Sequence, residues 1–401
     1  MENINILGIN ISNIDKKTVL RKIEQFLTDG KQHYIVTPNP EIILESRKSE
    51  EFFHILNSAD ISIPDGIGLK FAAWMMGRNI NRITGADLTE DILKMAEEKN
   101  LKVAIFNLKR GLSDEIDIRN MLKEKYPKLS FAIEEIDKEW EMPYYQKINI
   151  FKPDMIFVTL GAPYQEKFIY HQLPKMPYIK LGIGVGGAFD FLTGKVKRAP
   201  GLMRVIGLEW LWRLIRQPKK RSGRIYNAVM VFPWKIIKAR FIYPFFYRPN
   251  VACFLFKKEG DARKVLIVER GHERGHWQLP QGGTDGEDIR TAGVRELSEE
   301  LNTTALKPVA VFRNVHKYKF GDCLGKFDTD KKSALGFKGQ KQGLLIAEFI
   351  GKDDDIKVNF WDHSDWKWVN VDDFPDSVSP IRKVSAEKFL EKFNEVFDKK
   401  E

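Results

Sequence analysis

Glu296, Glu299 and Glu300 fall at positions i, i+3 and i+4 of a stretch with helical periodicity. That spacing sets three carboxylates on one helix face, where like charges repel. A hard divalent cation rewards the arrangement, since magnesium takes oxygen ligands and tolerates bridging phosphates and waters. Ala292, Val294, Leu297 and Leu301 supply apolar groups that anchor such a helix. A solvated acidic helix explains the glutamates alone equally well. The preceding Gly282-Gly283-Thr284-Asp285-Gly286-Glu287 and the adjoining Arg295 tip the reading toward a metal site.

A second constellation lies near the other end of the chain. Pro64-Asp65-Gly66 follows an apolar run, and Thr37-Pro38-Asn39-Pro40 follows the run before it. An Asp between Pro and Gly is first a turn residue. In a crevice it also serves as a general base that takes the proton of a sugar hydroxyl. Thr84-Gly85-Ala86-Asp87 precedes a helix, and Gly161-Ala162-Pro163-Tyr164-Gln165-Glu166-Lys167 bridges a strand and a helix. Proline at a first helical turn, with amide hydrogens exposed, suits receipt of a diphosphate. The glycines of 182–187 lack the spacing of a dinucleotide fingerprint, and close backbone approach is the simpler reason for them.

Alternating elements must position these residues. Buried-strand runs fall at Tyr34–Thr37, Ile61–Pro64, Val103–Phe106, Met155–Leu160 and Leu181–Val185, with helical patterns near Pro40–Leu56, Leu88–Glu98, Leu112–Lys125 and Tyr164–Gln172. The expected fold for 1–205 is therefore α/β, a mainly parallel sheet covered by helices, with ligand sites beyond the carboxyl ends of its strands. From 249 to 401 the pattern changes. Strands are expected at Val251–Phe256, Lys264–Glu269, Leu344–Ile350 and Trp366–Val369, helices at Ile289–Leu301 and Ala386–Lys399, and a hairpin turn at 259–262.

Composition bounds the rest. A chain of 401 residues with 43 % hydrophobic residues suits two folded domains and excludes a mostly disordered chain. Two cysteines, Cys253 and Cys323, exclude a disulfide scaffold or a tetrahedral thiolate zinc site and fit a reducing cytosol. Neither a signal peptide nor a membrane-spanning helix is expected. The net charge of +10 is concentrated: the 49 residues from 210 to 258 hold 12 Lys or Arg and no Asp or Glu, leaving −2 elsewhere. Residues 206–248 mix this charge with Trp210, Trp212, Trp234, Phe241, Phe245 and Phe246, so they read as a basic, aromatic-rich appendage that needs an anionic partner.

The stretch from Glu287 to Glu300 resembles the Nudix hydrolase signature, in which Glu, seven residues, Arg-Glu, an aliphatic residue, any residue and Glu-Glu are followed by any residue, Gly and an aliphatic residue. The glycine due six positions before Glu287 is Gln281, so Gly282 sits one residue closer; Asn302 replaces the closing glycine. The resemblance implies a Nudix α/β/α sandwich that hydrolyses a diphosphate linkage, with Mg²⁺ on Glu296, Glu299 and Glu300. Glu299 and Glu300 are its catalytic candidates, Arg295 orients the carboxylates, Glu287 joins from the loop, and Gly282 and Gly283 meet substrate. Trp277–Gly283, Gly339–Gln342 and Trp366–Val369 are similar to the branch that cleaves dinucleoside polyphosphates and triphosphorylated RNA ends, so a nucleotide polyphosphate is the expected substrate. His316, Lys317, Tyr318 and Lys319 face phosphates or a base, or else form a solvated strand.

Residues 1–230 resemble the WecG/TagA/CpsF glycosyltransferase family, most specifically in Gly194–Pro200 and Gly207–Leu214. This resemblance implies a Rossmann-like domain that transfers an N-acetylmannosamine-type sugar, with inversion, from a UDP donor to a polyprenyl-diphosphate-linked sugar. Asp65 would be the base, Thr37 and Asn39 would position the acceptor or that carboxylate, and Gly161, Gln165, Glu166 and Lys167 would hold the donor. Thr84 and Asp87 join the substrate-binding set. Arg213, Arg221 and Arg224 are candidates for the lipid diphosphate or UDP, because guanidinium forks match phosphate oxygens. No metal is required there if helix amides and arginines neutralise the leaving diphosphate.

The expected whole is a bifunctional enzyme of cell-surface polysaccharide synthesis, cytoplasmic and peripheral on the inner face of the plasma membrane, its basic segment lying on anionic lipid. A second copy of the chain stands as a further candidate partner. The competing readings keep one module catalytic and make the other a binding platform, or give the basic segment to RNA.

Overall fold

The computed structural model describes residues 2–140, 146–205, 207–216, 218–260, 262–271, 273–320, 335–359 and 361–397. The chain forms two compact units, Met1–Ile237 and Lys238–Glu401. Among the described residues no helix is long and apolar enough to cross a membrane.

The first unit opens with a hairpin, β1 (Asn3–Ile6) and β2 (Ile9–Ser12), then α1 (Lys16–Phe26), β3 (His33–Val36), α2 (Pro40–Ser46), α3 (Glu50–Asn57) and β4 (Ile61–Ser62). Next come α4 (Ile67–Met75), α5 (Gly85–Glu98), β5 (Lys102–Leu108), α6 (Glu115–Lys125), β6 (Ser130–Ile136), α7 (Gln146–Phe151), β7 (Met155–Val158) and α8 (Tyr164–Gln172). It closes with β8 (Leu181–Gly184), α9 (Ala188–Leu192), α10 (Gly201–Val205), α11 (Glu209–Arg216), α12 (Pro218–Tyr226) and α13 (Phe232–Ile237). Six strands form a sheet in the order β4-β3-β8-β7-β5-β6, and every pairing is parallel. Both faces are buried, as parallel sheets require. Val103 and Ile105 turn toward α1, α5 and α6, while Ala104 and Phe106 turn toward α7 and α8.

The five expected strands lie where the apolar runs put them, β1, β2 and β6 come in addition, and two departures among the helices have local causes. The single helix expected over 40–56 is two, because Ser49 turns its hydroxyl to the Phe52 amide and starts a new helix. The helix expected from Leu112 begins at Glu115, behind an Asp114–Asp117 capping box. Gly182 serves close approach: a Cβ there would lie 2.7 Å from Ile169 of α8.

The second unit continues with β9 (Tyr247–Glu259), β10 (Ala262–Arg270), β11 (Trp277–Gln278), β12 (Gln281–Gly283), α14 (Ile289–Leu301), β13 (Leu306–Lys319), β14 (Gly339–Phe349), β15 (His363–Asn370), α15 (Phe374–Ser377) and α16 (Lys383–Phe397). Its seven-stranded sheet is mixed, with β9 and β14 parallel and the other pairs antiparallel. Alternation along β9 splits the core: Val251, Cys253 and Leu255 pack under α14, while Ala252, Phe254 and Phe256 pack under α16. The result is a helix–sheet–helix sandwich. The expected hairpin joins β9 to β10, with Glu259 opposite Ala262. Strand β13 was not expected from the sequence beyond its His316–Lys319 end, although its Pro308–Phe312 run is apolar throughout.

Phe393 anchors α16, stacked 4.6 Å from Phe254 and edge-on to Phe256 at 5.2 Å. Phe393→Ala should therefore lower the stability of the second unit by about 3–5 kcal/mol, the usual cost of emptying a buried aromatic site. Urea unfolding followed by a probe confined to this unit measures it; a change within about 0.5 kcal/mol, typical of surface substitutions, would contradict the packing described.

Candidate active sites

In the first unit, Asp65 stands just past the carboxyl end of β4, its backbone N–H donating to the Pro38 carbonyl at 2.9 Å. It lines a cavity of about 310 Å³ with Asn39, Glu41, Gly66, Phe71, Arg82, Glu209, Trp210 and Arg224. Asn39 also caps α2: its Oδ1 accepts from the Glu41 and Ile42 amides, both at 3.0 Å. The Arg224 fork grips Glu41, with Nε at 2.8 and 3.0 Å from the two carboxylate oxygens and Nη2 at 2.7 Å from one. Glu41 raises the Arg224 pKa. Across the cavity Arg82 lies 3.5 Å from Glu209. Glu41, Arg82 and Glu209 did not emerge from the sequence, since their pairing spans more than a hundred residues and leaves no local spacing. Arg213 and Arg221 lie on α11 and α12, and their side chains fall outside the described residues.

The other residues expected here form a separate polar chain at the ends of β3, β7 and β8. Thr37 is buried and donates to the Gly184 carbonyl at 3.3 Å. Gln165 is buried, and its Oε1 accepts from the Gly161 amide at 3.2 Å and the Gly186 amide at 2.8 Å. Its Nε2 donates to Glu166 at 2.8 Å. Gly161 needs no side chain at φ +74°, and a Cβ on Gly184 would lie 2.8 Å from Gln165. Glu166 is fully buried, and burial pushes its pKa up to about 7. Lys167 instead pairs with Glu51, which His171 also reaches at 2.7 Å; those partners hold Glu51 down at about 2.

Thr84 caps α5 and donates to the Asp87 carboxylate. Asp87 in turn holds Arg198 at 2.7 Å, and Lys195 holds Asp117 at 2.9 Å, so the Gly194–Pro200 block is stapled to α5 and α6. Asp87 is thus engaged with protein groups, as are Gln165 and Lys167.

In the second unit, α14 starts at an Asp288 cap and presents the carboxylates to the β12 strand. Arg295 gathers them. Its Nε donates to Glu287 at 2.9 Å, its Nη1 to Glu296 at 2.8 Å and Glu299 at 3.1 Å, and its Nη2 to the Gly283 carbonyl at 2.9 Å. Burial works against the charge on Arg295, but these carboxylates outweigh it and raise its pKa. Glu300 faces the other way, 3.1 Å from His363 Nε2, and accepts weakly from the Gln281 amide at 3.4 Å. His363 was missed in the sequence because β15 brings it in from 63 residues downstream.

A Cβ on Gly282 would overlap the Glu296 carboxyl group, and one on Gly283 would lie 2.5 Å from Arg248. The short loop closes as a tight turn: Asp285 and Gly286 both have positive φ, 47° and 95°, and the Glu287 amide donates to the Thr284 carbonyl at 2.8 Å. Asn302 takes the left-handed conformation due to the closing glycine, φ 51° and ψ 34°.

The three carboxylates expected to hold Mg²⁺ all lie on α14. Among the described residues no three His, Cys, Asp or Glu side chains converge closely enough to hold a metal ion. Arg295 binds Glu296 and Glu299, while Glu300 lies 3.1 Å from His363 Nε2. The donor chemistry still suits a hard cation, because all four side chains offer carboxylate oxygens on one short helix and its preceding turn.

Beside this site, on the α16 face of the sheet, Gln342 donates to Asn250 at 3.1 Å and Gln281 at 2.8 Å. His316 stacks on Tyr318 at 5.7 Å, and the Tyr318 hydroxyl donates to Gln340 at 2.5 Å. Burial, then Lys388 and Arg382, push His316 down to about 4. Lys317 instead lies 4.2 Å over the Tyr247 ring, and Lys319 is exposed. His316 and Tyr318 are half-buried, whereas Lys317 and Lys319 are exposed.

A family profile described as "Glycosyl transferase WecG/TagA/CpsF family" matches residues 4–244, and one described as "NUDIX domain" matches 246–393. Staphylococcus aureus proteins named N-acetylglucosaminyldiphosphoundecaprenol N-acetyl-beta-D-mannosaminyltransferase, one from strain COL, are 31 % identical over 244 residues; the match covers 59 % of this chain and 93 % of theirs. Among solved structures, a C. elegans Ap4A hydrolase binary complex is 20 % identical with a TM-score of 0.28, covering 37 % of this chain and 98 % of that one. The E. coli dihydroneopterin triphosphate pyrophosphohydrolase is 16 % identical with a TM-score of 0.29, covering 37 % and 99 %.

Two outcomes follow from this geometry. Glu166 titrates at about 7 folded against 4.5 unfolded, so the unfolded chain loses its proton first. Its contribution to stability is complete below pH 4.5 and falls as pH rises through 7, by an amount on the order of 3 kcal/mol. Glu166→Gln should flatten that fall, read from denaturant midpoints between pH 5 and 8; an unchanged slope places the titration elsewhere. Gly282→Ala should displace Glu296 and cut diphosphate hydrolysis by a factor on the order of 10² or more, since misplacing a catalytic constellation by about 1 Å costs that much. Wild-type turnover in this variant would show that Glu296 does not work from its place against Gly282.

Proposed function

The chain belongs to the WecG/TagA/CpsF glycosyltransferase family and carries a C-terminal Nudix hydrolase domain, and from that premise we propose a bifunctional enzyme of cell-surface polymer synthesis. Sugar transfer and Nudix-type pyrophosphohydrolysis are its two activities. The first unit takes an N-acetylmannosamine-type sugar from a UDP donor and passes it to a polyprenyl-diphosphate-linked sugar. The observation that carries this reading is Asp65 in a cavity with Asn39 and Arg224 beyond the carboxyl edge of the parallel sheet. That edge is where open, Rossmann-like sheets bind nucleotides.

Asp65 accepts the proton of the acceptor hydroxyl as its oxygen attacks the anomeric carbon. The bond to the UDP phosphate oxygen breaks on the opposite side, so configuration inverts and UDP leaves with the bonding pair. Arg224, together with Arg213 and Arg221, binds diphosphate oxygens, which offer the same planar pairing that Glu41 offers now. Gln165 fixes the Gly161 and Gly186 loops around the donor, while Thr37 holds β3 against β8. The basic appendage rests on anionic lipid at the inner face of the plasma membrane, where the acceptor is embedded.

The second unit hydrolyses a nucleoside diphosphate-linked substrate, with dinucleoside polyphosphates or triphosphorylated RNA ends first among the choices. Glu296, Glu299 and Glu300, with Glu287, are the residues that would hold Mg²⁺. When bound, such a cation neutralises phosphate oxygens and lowers the pKa of a water ligand. Arg295 keeps Glu287, Glu296 and Glu299 aligned, and Gly282 leaves room for Glu296.

Asp65→Asn keeps the shape and removes the base, so UDP release with a lipid-diphosphate sugar acceptor should fall by a factor on the order of 10²–10⁴. Unchanged turnover sinks the assignment. Glu299→Gln keeps side-chain volume and removes charge, so Mg²⁺-dependent hydrolysis should be lost while the fold persists. A panel of dinucleoside polyphosphates, triphosphorylated RNA, nucleoside triphosphates and UDP-sugars, each with and without Mg²⁺, tests this. Preference for UDP-sugars would overturn the substrate choice, and no hydrolysis of any member by folded protein would overturn the activity.

A further inference from the structure

Glu166 is a fully buried carboxyl group in the first turn of α8, and it does not line the Asp65 cavity. Its Oε1 accepts from Gln165 Nε2 at 2.8 Å, and its Oε2 has no hydrogen-bond partner among the described residues. Burial lifts the carboxyl to about 7, so an uncharged acceptor is what this position favours.

A glutamine amide has two ends of nearly equal size and opposite hydrogen-bonding character. At Gln165 the oxygen end meets two donors, the Gly161 amide at 3.2 Å and the Gly186 amide at 2.8 Å. These glycines follow the neighbouring parallel strands β7 and β8. One oxygen therefore sets the spacing of two turns at the carboxyl edge of the sheet. The side chain has little room to slide, because a Cβ on Gly184 would lie 2.8 Å from Gln165 Nε2. Turning the amide over would aim its own N–H groups at the two glycine N–H groups and break both bonds. Glu166 prevents this by taking the nitrogen end.

We infer that Glu166 is a positioning residue for the sugar donor, holding the Gln165 amide in the one orientation that keeps the Gly161 and Gly186 turns at their spacing. The inference rests on the reading that these turns flank the donor, and it removes Glu166 from the residues that touch it. Lys167 is likewise drawn away, to Glu51 of α3. Without the Glu166 acceptor the Gln165 NH₂ is buried and unsatisfied, which the amide relieves by turning over or shifting, with loss of the glycine bonds. Donor binding suffers and the chemical step does not, since Asp65 and its cavity are untouched.

Calorimetric titration of the full chain with UDP, and UDP release at varied UDP-sugar with a fixed lipid-diphosphate sugar acceptor, test it. Glu166→Met keeps the length and removes the acceptor. It should weaken UDP binding and raise the donor KM about ten-fold, with kcat within about three-fold of wild type. Glu166→Gln keeps an oxygen acceptor and should hold the donor KM within about two-fold. Gln165→Met should raise KM at least as much as Glu166→Met. Adding Glu166→Met to it should change nothing further, because a residue that acts through another has no effect once that other is gone. A wild-type KM in folded Glu166→Met, a loss confined to kcat, or additive losses in the double variant overturns the inference. If the Met variant does not fold, Glu166→Gln decides alone: a ten-fold rise in its KM overturns the inference, because its acceptor oxygen is in place. A wild-type chain that neither binds UDP nor releases it overturns the donor reading itself.

Discussion

A carboxylate taken out of water must find a positive partner or give up its charge, and both units are organised around that constraint. In the hydrolase unit Arg295 answers it for the buried Glu296, pairs as well with the exposed Glu287 and Glu299, and gives one more of its donors to the Gly283 carbonyl. A lysine offers no planar fork and could not span Glu287, Glu296 and a backbone carbonyl together. In the transferase unit the same constraint is met piecewise: Arg224 with Glu41, Arg82 with Glu209, Arg198 with Asp87, Lys167 and His171 with Glu51. Glu166 takes the other route and holds its proton, with Gln165 as neighbour.

These pairings do more than balance charge. Arg224 and Glu209 belong to the helices that follow α10, whereas Glu41 and Arg82 belong to the sheet's own layer of helices and loops. The cavity around Asp65 is therefore walled by two segments joined through ion pairs of opposite sense. On the other side of Asp65, the Thr37–Gly184 and Gln165–Gly161–Gly186 bonds fix three strand ends without any charge at all.

What the sequence revealed was local. Helix 289–301 matches its expected bounds because an apolar stripe, an Asp288 cap and an Asn302 stop all act within one helix length. Five of the six parallel strands match because each apolar run is buried on both faces, while the edge strand β6, with exposed Ser130 and Glu135, was missed. The breaks at Ser49 and Asp114 needed single capping bonds to be recognised among several polar candidates. Glu41, Arg82, Glu209 and His363 were invisible for a different reason. Each acquires its role from a partner distant in sequence, and no spacing announces that. Glycines near 182–186, ambiguous between phosphate loop and packing, prove to be spacers beneath Ile169 and Gln165.

Gly282 also limits how this chain can vary by insertion and deletion. Register pins Gln281, Gly282 and Gly283 opposite Ala252, Val251 and Asn250, and Glu296 fills the space a side chain at 282 would need. Any residue added before Gly283 would shift every later side chain of β12 to the opposite sheet face. The turn of Thr284–Glu287 has no such lock, since nothing lies within 4 Å of a Cβ placed on Gly286. Length changes between the strand and the catalytic helix are thus confined to that turn, and a relative with the longer loop would carry its extra residue there.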